Sequence, residues 1–163
     1  MPAGPTYEPI ASTTLGANAG SIVFSAIAAS WTDLRLVVSI VPNGAGNIWL
    51  RYNSDNGANY SITSLRGNGS AAASSRGTFN TEGYISALGF GSTQPSLITV
   101  DIMNYAGSRF KTFLAAQAND LNGSGQVERN VMLWRSTSAI TSVTIGGTFA
   151  TNTTATLYGI KAA

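Results

Sequence analysis

Leu34-Arg35-Leu36-Val37-Val38-Ser39-Ile40-Val41 is the stretch on which the fold turns. Leu34, Leu36, Val38 and Ile40 make one row, and Arg35, Val37, Ser39 and Val41 the other. That period of two is what a pleated strand presents to its two faces. The second row is itself half apolar, which marks a well-buried strand. No segment of the chain sustains apolar residues at i, i+3, i+4 and i+7, so no amphipathic helix is expected.

The same period extends in both directions. Residues 10–15 and 22–27 read as opening strands, and Ile48, Leu50 and Tyr52 as the next, facing away from Trp49 and Arg51. Ile98, Val100 and Ile102 alternate with Thr99, Asp101 and Met103. Phe110, Thr112 and Leu114 follow as one face after a turn at Ala106-Gly107-Ser108. Val131, Leu133 and Arg135 read as the main aliphatic row opposing Met132 and Trp134. Val143-Thr144-Ile145 and Thr156-Leu157-Tyr158-Gly159-Ile160 close the chain.

Turn chemistry separates the runs. Pro42-Asn43-Gly44-Ala45-Gly46-Asn47, Ser54-Asp55-Asn56-Gly57 and Asn122-Gly123-Ser124-Gly125 read as hairpin connections, because Asn-Gly supplies the positive φ of tight turns. Ala71-Ala72-Ala73 is flanked by Gly67-Asn68-Gly69-Ser70 and Ser74-Ser75-Arg76-Gly77, so it reads as a long surface loop. Neither a repeat of solenoid period nor a heptad run is visible. The expectation is a single all-β domain over residues 1–163, an antiparallel, jelly-roll-like β-sandwich of roughly ten strands. Pro2, Pro5 and Pro9 stiffen residues 1–9 into a candidate N-terminal anchoring arm.

Composition narrows the function. Charged residues are 10% of the chain and the net charge is +2, where soluble domains average about 25% charged. Ser and Thr fill more than a fifth of it. Little repulsion then keeps copies apart, which suits a protein that lives in an assembly. Despite a pI of 9.2, the basic residues are scattered singly. A nucleic-acid footprint would cluster them, for which only the strands bearing Arg51, Lys111 and Arg135 are candidates. Residues 1–6 have neither a basic nor an apolar signal region, and no apolar run reaches transmembrane length. A soluble product without membrane insertion is expected.

Missing residue types carry further weight. With no His and no Cys, Ser-His-Asp triads, Cys-His dyads, HExxH sites and Cys/His zinc sites are excluded. Acid-base chemistry would fall to the carboxylates or to Lys111 and Lys161. Glu82 with Asp101, or Glu8 with Glu128, are the arithmetically available carboxylate pairs of a glycosidase. Asp55 with Asn53 and Asn56 is a weak calcium candidate that a turn explains equally well. Gly67-Asn68-Gly69 and Gly89-Phe90-Gly91 lack the strand, loop and helix context of phosphate-binding motifs. The sequons at Asn59, Asn68, Asn122 and Asn152 are expected by chance in so Asn- and Ser-rich a chain. No cofactor is expected. Trp31, Trp49, Tyr60, Asn68 and Trp134 are the candidate contacts for a glycan or a subunit interface. Aromatic faces stack on sugars, and Trp49 and Trp134 lie out of phase with the aliphatic rows of their strands.

Five segments carry a resemblance. They are Tyr7-Glu8-Pro9-Ile10-Ala11-Ser12-Thr13-Thr14-Leu15-Gly16, Trp31-Thr32-Asp33-Leu34-Arg35-Leu36-Val37, Leu65-Arg66-Gly67-Asn68-Gly69, Met103-Asn104-Tyr105 and Leu157-Tyr158-Gly159-Ile160-Lys161-Ala162-Ala163. In these the chain resembles a family of tailed-bacteriophage virion proteins, of the kind found in cyanophages, that carry a jelly-roll or lectin-like domain. The resemblance implies a non-enzymatic subunit on the exterior of the phage particle, as a trimer in contact with other virion proteins. Capsid decoration (cement) or a head fibre is the first role it implies. The alternative is a tail-fibre tip that binds host surface glycans.

Overall fold

The computed structural model describes residues 6–88 and 95–161. They form twelve strands and no helix. In chain order the first six are β1 (Tyr7–Thr14), β2 (Ala19–Phe24), β3 (Asp33–Ile40), β4 (Gly46–Tyr52), β5 (Tyr60–Gly67) and β6 (Ala72–Asn80). The rest are β7 (Gly83–Leu88), β8 (Ser96–Ile102), β9 (Lys111–Asp120), β10 (Gly125–Trp134), β11 (Val143–Phe149) and β12 (Thr154–Ile160). Every pairing is antiparallel.

One sheet has the order β1-β12-β3-β8-β9-β10-β5-β6 and the other β2-β11-β4-β7. Setting aside β5, β6, β9 and β10, the remaining eight strands change sheet at every step in chain order except from β4 to β7, which are neighbours in the shorter sheet. They form the two interleaved four-stranded sheets of a jelly roll. Two insertions, β5–β6 between β4 and β7 and β9–β10 between β8 and β11, pair with each other and prolong the first sheet to eight strands. β7, the edge of the shorter sheet, leans on β5, β9 and β10.

The core is the inner row of each sheet. Leu34, Leu36, Val38 and Ile40 are fully buried, and register sets Leu36 between Leu157 and Val100, and Val38 between Ala155 and Ile98. Ile48, Leu50 and Tyr52 of β4, and Val143 and Ile145 of β11, face them from the other sheet. Burying each such side chain stabilises by about 1.5–3 kcal/mol.

Several expectations are corrected. Ala72 and Ala73 lie in strand β6, not in a surface loop. The 42–47 and 54–57 segments are not hairpin loops; each carries the chain from one sheet to the other. Asn53 and Ser54 adopt the left-handed region there (φ 52 and 56). The Asn53 side chain ties this corner to the chain before β11, donating to Ala139 O (2.7 Å) and accepting from Thr141 N (2.8 Å). Asn122–Gly125 is a hairpin tip as expected, with Gly125 at φ 142, where a Cβ would sit 2.4 Å from Asn119 O. Of residues 1–9, Tyr7–Pro9 belong to edge strand β1 paired to β12, while residues 1–5 lie outside the described residues, as do 89–91.

In β9 and β10 the more polar row is the buried one. In β9 the buried residues are Lys111, Phe113, Ala115 and Gln117, and in β10 they are Glu128, Asn130, Met132 and Trp134. Leu114 and Val131, from the rows read as aliphatic in the sequence, point outward, and Phe110 precedes the strand and is exposed. Near its start the extension packs on Tyr52 of β4; further along, among the described residues, its inner side faces the narrow edge at β7, and that far end is polar. Gln126 Nε2 donates to Ser86 Oγ (3.1 Å) and Glu128 Oε2 (3.3 Å), while Asn130 Nδ2 donates to Ile85 O. Lys111 ends in the β8–β9 turn, donating to Gly107 O (2.6 Å) and Arg109 O (2.5 Å).

Candidate functional site

The outward face of β8, β9, β10 and β5 collects what these strands do not bury. Register arranges it in three rows. Leu97, Ala118, Val127 and Gly67 form the first, Thr99, Ala116, Arg129 and Leu65 the second, and Asp101, Leu114, Val131 and Thr63 the third. Leu65, Leu97, Leu114, Val127 and Val131 are each between 45% and 61% exposed. Rows about 7 Å apart on strands about 4.8 Å apart cover on the order of 400 Å². That footprint includes its polar positions and lies in the range of about 300–600 Å² of the largest apolar patch on a typical monomer, a patch that is often functional.

Two depressions shape the face. One of about 300 Å³ is lined by Leu65, Leu114, Arg129 and Val131. A second, of about 630 Å³, opens beside Leu97 and Val127 between the β5–β6 and β9–β10 tips. Asp101 is neutralised by Arg35 (3.3 Å). Arg129, in the middle row, makes no ion pair among the described residues. The face is therefore apolar with an uncompensated positive centre.

The aromatic residues expected to make a contact platform are not brought together as one. Trp31 covers Gly159, where a Cβ would lie 2.1 Å from its ring, and Lys161 Nζ stands 4.7 Å from the ring centroid. Trp49 covers Gly146 in the same way, under the Arg51 guanidinium at 4.5 Å. The first lies on the long sheet and the second on the short one, so they share no surface. Tyr60 and Trp134 are register partners, but both are interior. Asn68 turns its side chain onto its own loop, accepting from Ser70 N (3.1 Å) and Ala71 N (2.8 Å).

The remaining candidates are engaged locally. Arg51 pairs with Glu82 (2.8 Å) and Lys161 with Glu8 (3.5 Å), and Arg135 lies over the Phe79 ring (4.7 Å). Lys111 is buried, so Arg51, Lys111 and Arg135 do not converge on a basic surface. Both Asp55 carboxylate oxygens accept internal hydrogen bonds: from Trp134 Nε1 (2.7 Å) and Asn59 Nδ2 (3.0 Å) on one, and from Gly57 N (2.8 Å) on the other. That is the turn role and leaves little for a cation. Among the described residues no group of three acidic side chains is placed to hold a metal, and no helix is long and apolar enough to cross a membrane.

Glu128 is the most unusual carboxylate. Burial pushes its pKa above the ordinary value, against hydrogen bonds from Ser86 and Asn130 and the charge of Arg66. It sits beneath β7 at the polar end of the extension and away from the outer face. No protein-family model matches the chain, and no curated protein matches it at a significant level.

Proposed function

We propose that the protein is a non-enzymatic virion surface subunit of a tailed phage, a capsid decoration (cement) or head-fibre protein. It docks through the outer face of its eight-stranded sheet. The observation that carries this reading is the row of exposed aliphatic side chains on β5, β8, β9 and β10. Core-type residues turned outward on a chain with only 10% charged residues fit a surface that is covered in the assembly. The uncompensated Arg129 points to an occupant of definite chemistry: another virion protein presenting apolar side chains around a carboxylate. Docking of many copies adds contact energy that is present only while the particle stays assembled. The tail-fibre tip draws less support, because Trp31 and Trp49 each have one ring face on a glycine and a cation near the other.

Sedimentation of purified protein with particles lacking it tests the surface. Wild-type protein is expected to co-sediment. Val131→Glu, a change at an exposed position that should leave stability within about 0.5 kcal/mol, is expected to weaken binding at least tenfold. Wild-type affinity in this variant would reject the face as the attachment surface.

A further inference from the structure

We propose that the free edge of β6 pairs with the same edge of a second copy. The pairing is antiparallel about a two-fold axis at Ser74, and it joins two eight-stranded sheets into one. The inference rests on this edge strand alone and stands apart from the particle-attachment reading.

A sheet edge presents unpaired N–H and C=O groups, and proteins normally blunt it with proline, bulges, charge or a covering element. The other three edges are treated so. β1 carries Pro9 and a register slip between Pro9 and Ala11. β2 is six residues long and its pairing slips between Gly146 and Phe149 of β11. The pairing of β7 slips between Ile48 and Trp49, and the strand leans on the extension. By contrast, β6 runs from Ala72 to Gly77 in unbroken register with β5, and its slip comes only beyond Gly77. It holds no proline, lysine or acid, and its first four residues, Ala72-Ala73-Ser74-Ser75, are too small to shield a backbone.

The burial of β6 is equally unusual. A strand gains its order by burying at least one face, yet none of the nine residues of β6 is buried. Among the described residues β5 is its one strand neighbour. A second strand along the open edge would pair its remaining backbone N–H and C=O groups.

Charge tolerates a like copy in this register. Arg76 is the single charged residue of β6. An axis at Ser74 sets Ser74 against Ser74 of the partner subunit, Ala73 against the partner's Ser75, and Ala72 against the partner's Arg76. The two arginines then lie about 14 Å apart along the strands, beyond the Debye length of about 8 Å at physiological salt. An axis at Arg76 would oppose them directly. The resulting two-fold pair differs from the threefold assembly that the family resemblance implies.

Analytical ultracentrifugation tests the pairing. The interface is small, so wild-type protein is expected to pass from monomer to a species of twice 16.8 kDa between about 1 and 200 µM. Ser74→Glu and Ser74→Lys each place like charges face to face and are expected to weaken self-association at least tenfold. An equimolar mixture of the two variants is expected to regain a dimer, tighter than either variant alone, which a folding defect would not produce. Wild-type protein that stays monomeric throughout overturns the proposal, as do variants that self-associate like wild type. A mixture no tighter than its components overturns the axis at Ser74.

Discussion

Trp134→Ala is expected to destabilise the domain by about 3–5 kcal/mol, the range for removing a large aromatic from a packed interior. The side chain is 2% exposed. Its ring centroid lies 5.6 Å from that of Tyr52, which in turn meets Phe113 edge-on at 4.9 Å. These residues come from β4, β9 and β10, so the cluster bonds the inserted hairpin to the jelly roll. Its loss should loosen the extension first, and with it the outer face. Trp134→Phe keeps most of the ring packing but removes the Nε1 donor to Asp55, and is expected to cost about 1–3 kcal/mol. Urea unfolding of both variants measures the difference. A Trp134→Ala cost below about 1 kcal/mol would mean that this ring does not fasten the extension.

Asp55→Ala is expected to cost about 1.5–3 kcal/mol, because hydrogen bonds to a charged acceptor are worth more than neutral ones. Asp55 gathers donors from Trp134, Gly57 and Asn59, and its backbone carbonyl accepts from Tyr60 Oη (3.3 Å). Tyr60 Oη in turn accepts from Tyr52 N (3.0 Å). The corner between the two sheets is thus held by one acid. Burial alone would raise its pKa, but the hydrogen bonds from Trp134, Gly57 and Asn59 outweigh that and hold it below the ordinary 3.8.

A depressed carboxylate contributes stability that is fully present above its unfolded value and is lost as pH falls through its folded one. Glu128 acts in the opposite sense. Its folded value lies above the ordinary 4.5, so stability rises as the pH drops through that value. Thermal unfolding across pH 7 to about 2 should therefore show Asp55→Asn losing the wild-type decline below about 3.8. Glu128→Gln should lose the gain at higher pH. An Asp55→Asn profile parallel to wild type at every pH would remove Asp55 as the acid-sensitive group.

How far the sequence could be read depended on which strands had two partners and a covered face. The alternation of β3 and β8 was legible because their inner rows are wholly buried and, apart from Ser96 at the start of β8, aliphatic. β6 left no alternation to read, since it buries nothing. In β9 and β10 composition misleads about which row is inside, because Leu114 and Val131 look like core while Lys111, Gln117, Glu128 and Asn130 do not. Periodicity reports which residues share a face, and composition is then used to guess which face is inside. That guess fails where the inner side is polar under a narrow edge strand and the outer side is apolar. The local violation is itself the signal of the candidate surface. The corners at 42–47 and 54–57 misled for another reason: Asn-Gly chemistry fixes a tight turn without saying whether the next strand returns to the same sheet. Trp49 was legible as out of phase with the buried row of its strand, whereas Trp134, read in the same way, is interior; the glycines beneath Trp31 and Trp49, Gly159 and Gly146, come from strands distant in sequence.

The proposed role is that of a many-copy subunit on a particle surface. Quantitative mass spectrometry of purified virions, counting the protein against the major capsid protein, tests it most directly. A fixed ratio near one copy per one or a few capsid subunits is the expected result, with removal of the protein lowering the temperature at which particles release their genome. Absence of the protein from purified particles, or a handful of copies per particle, would contradict the account.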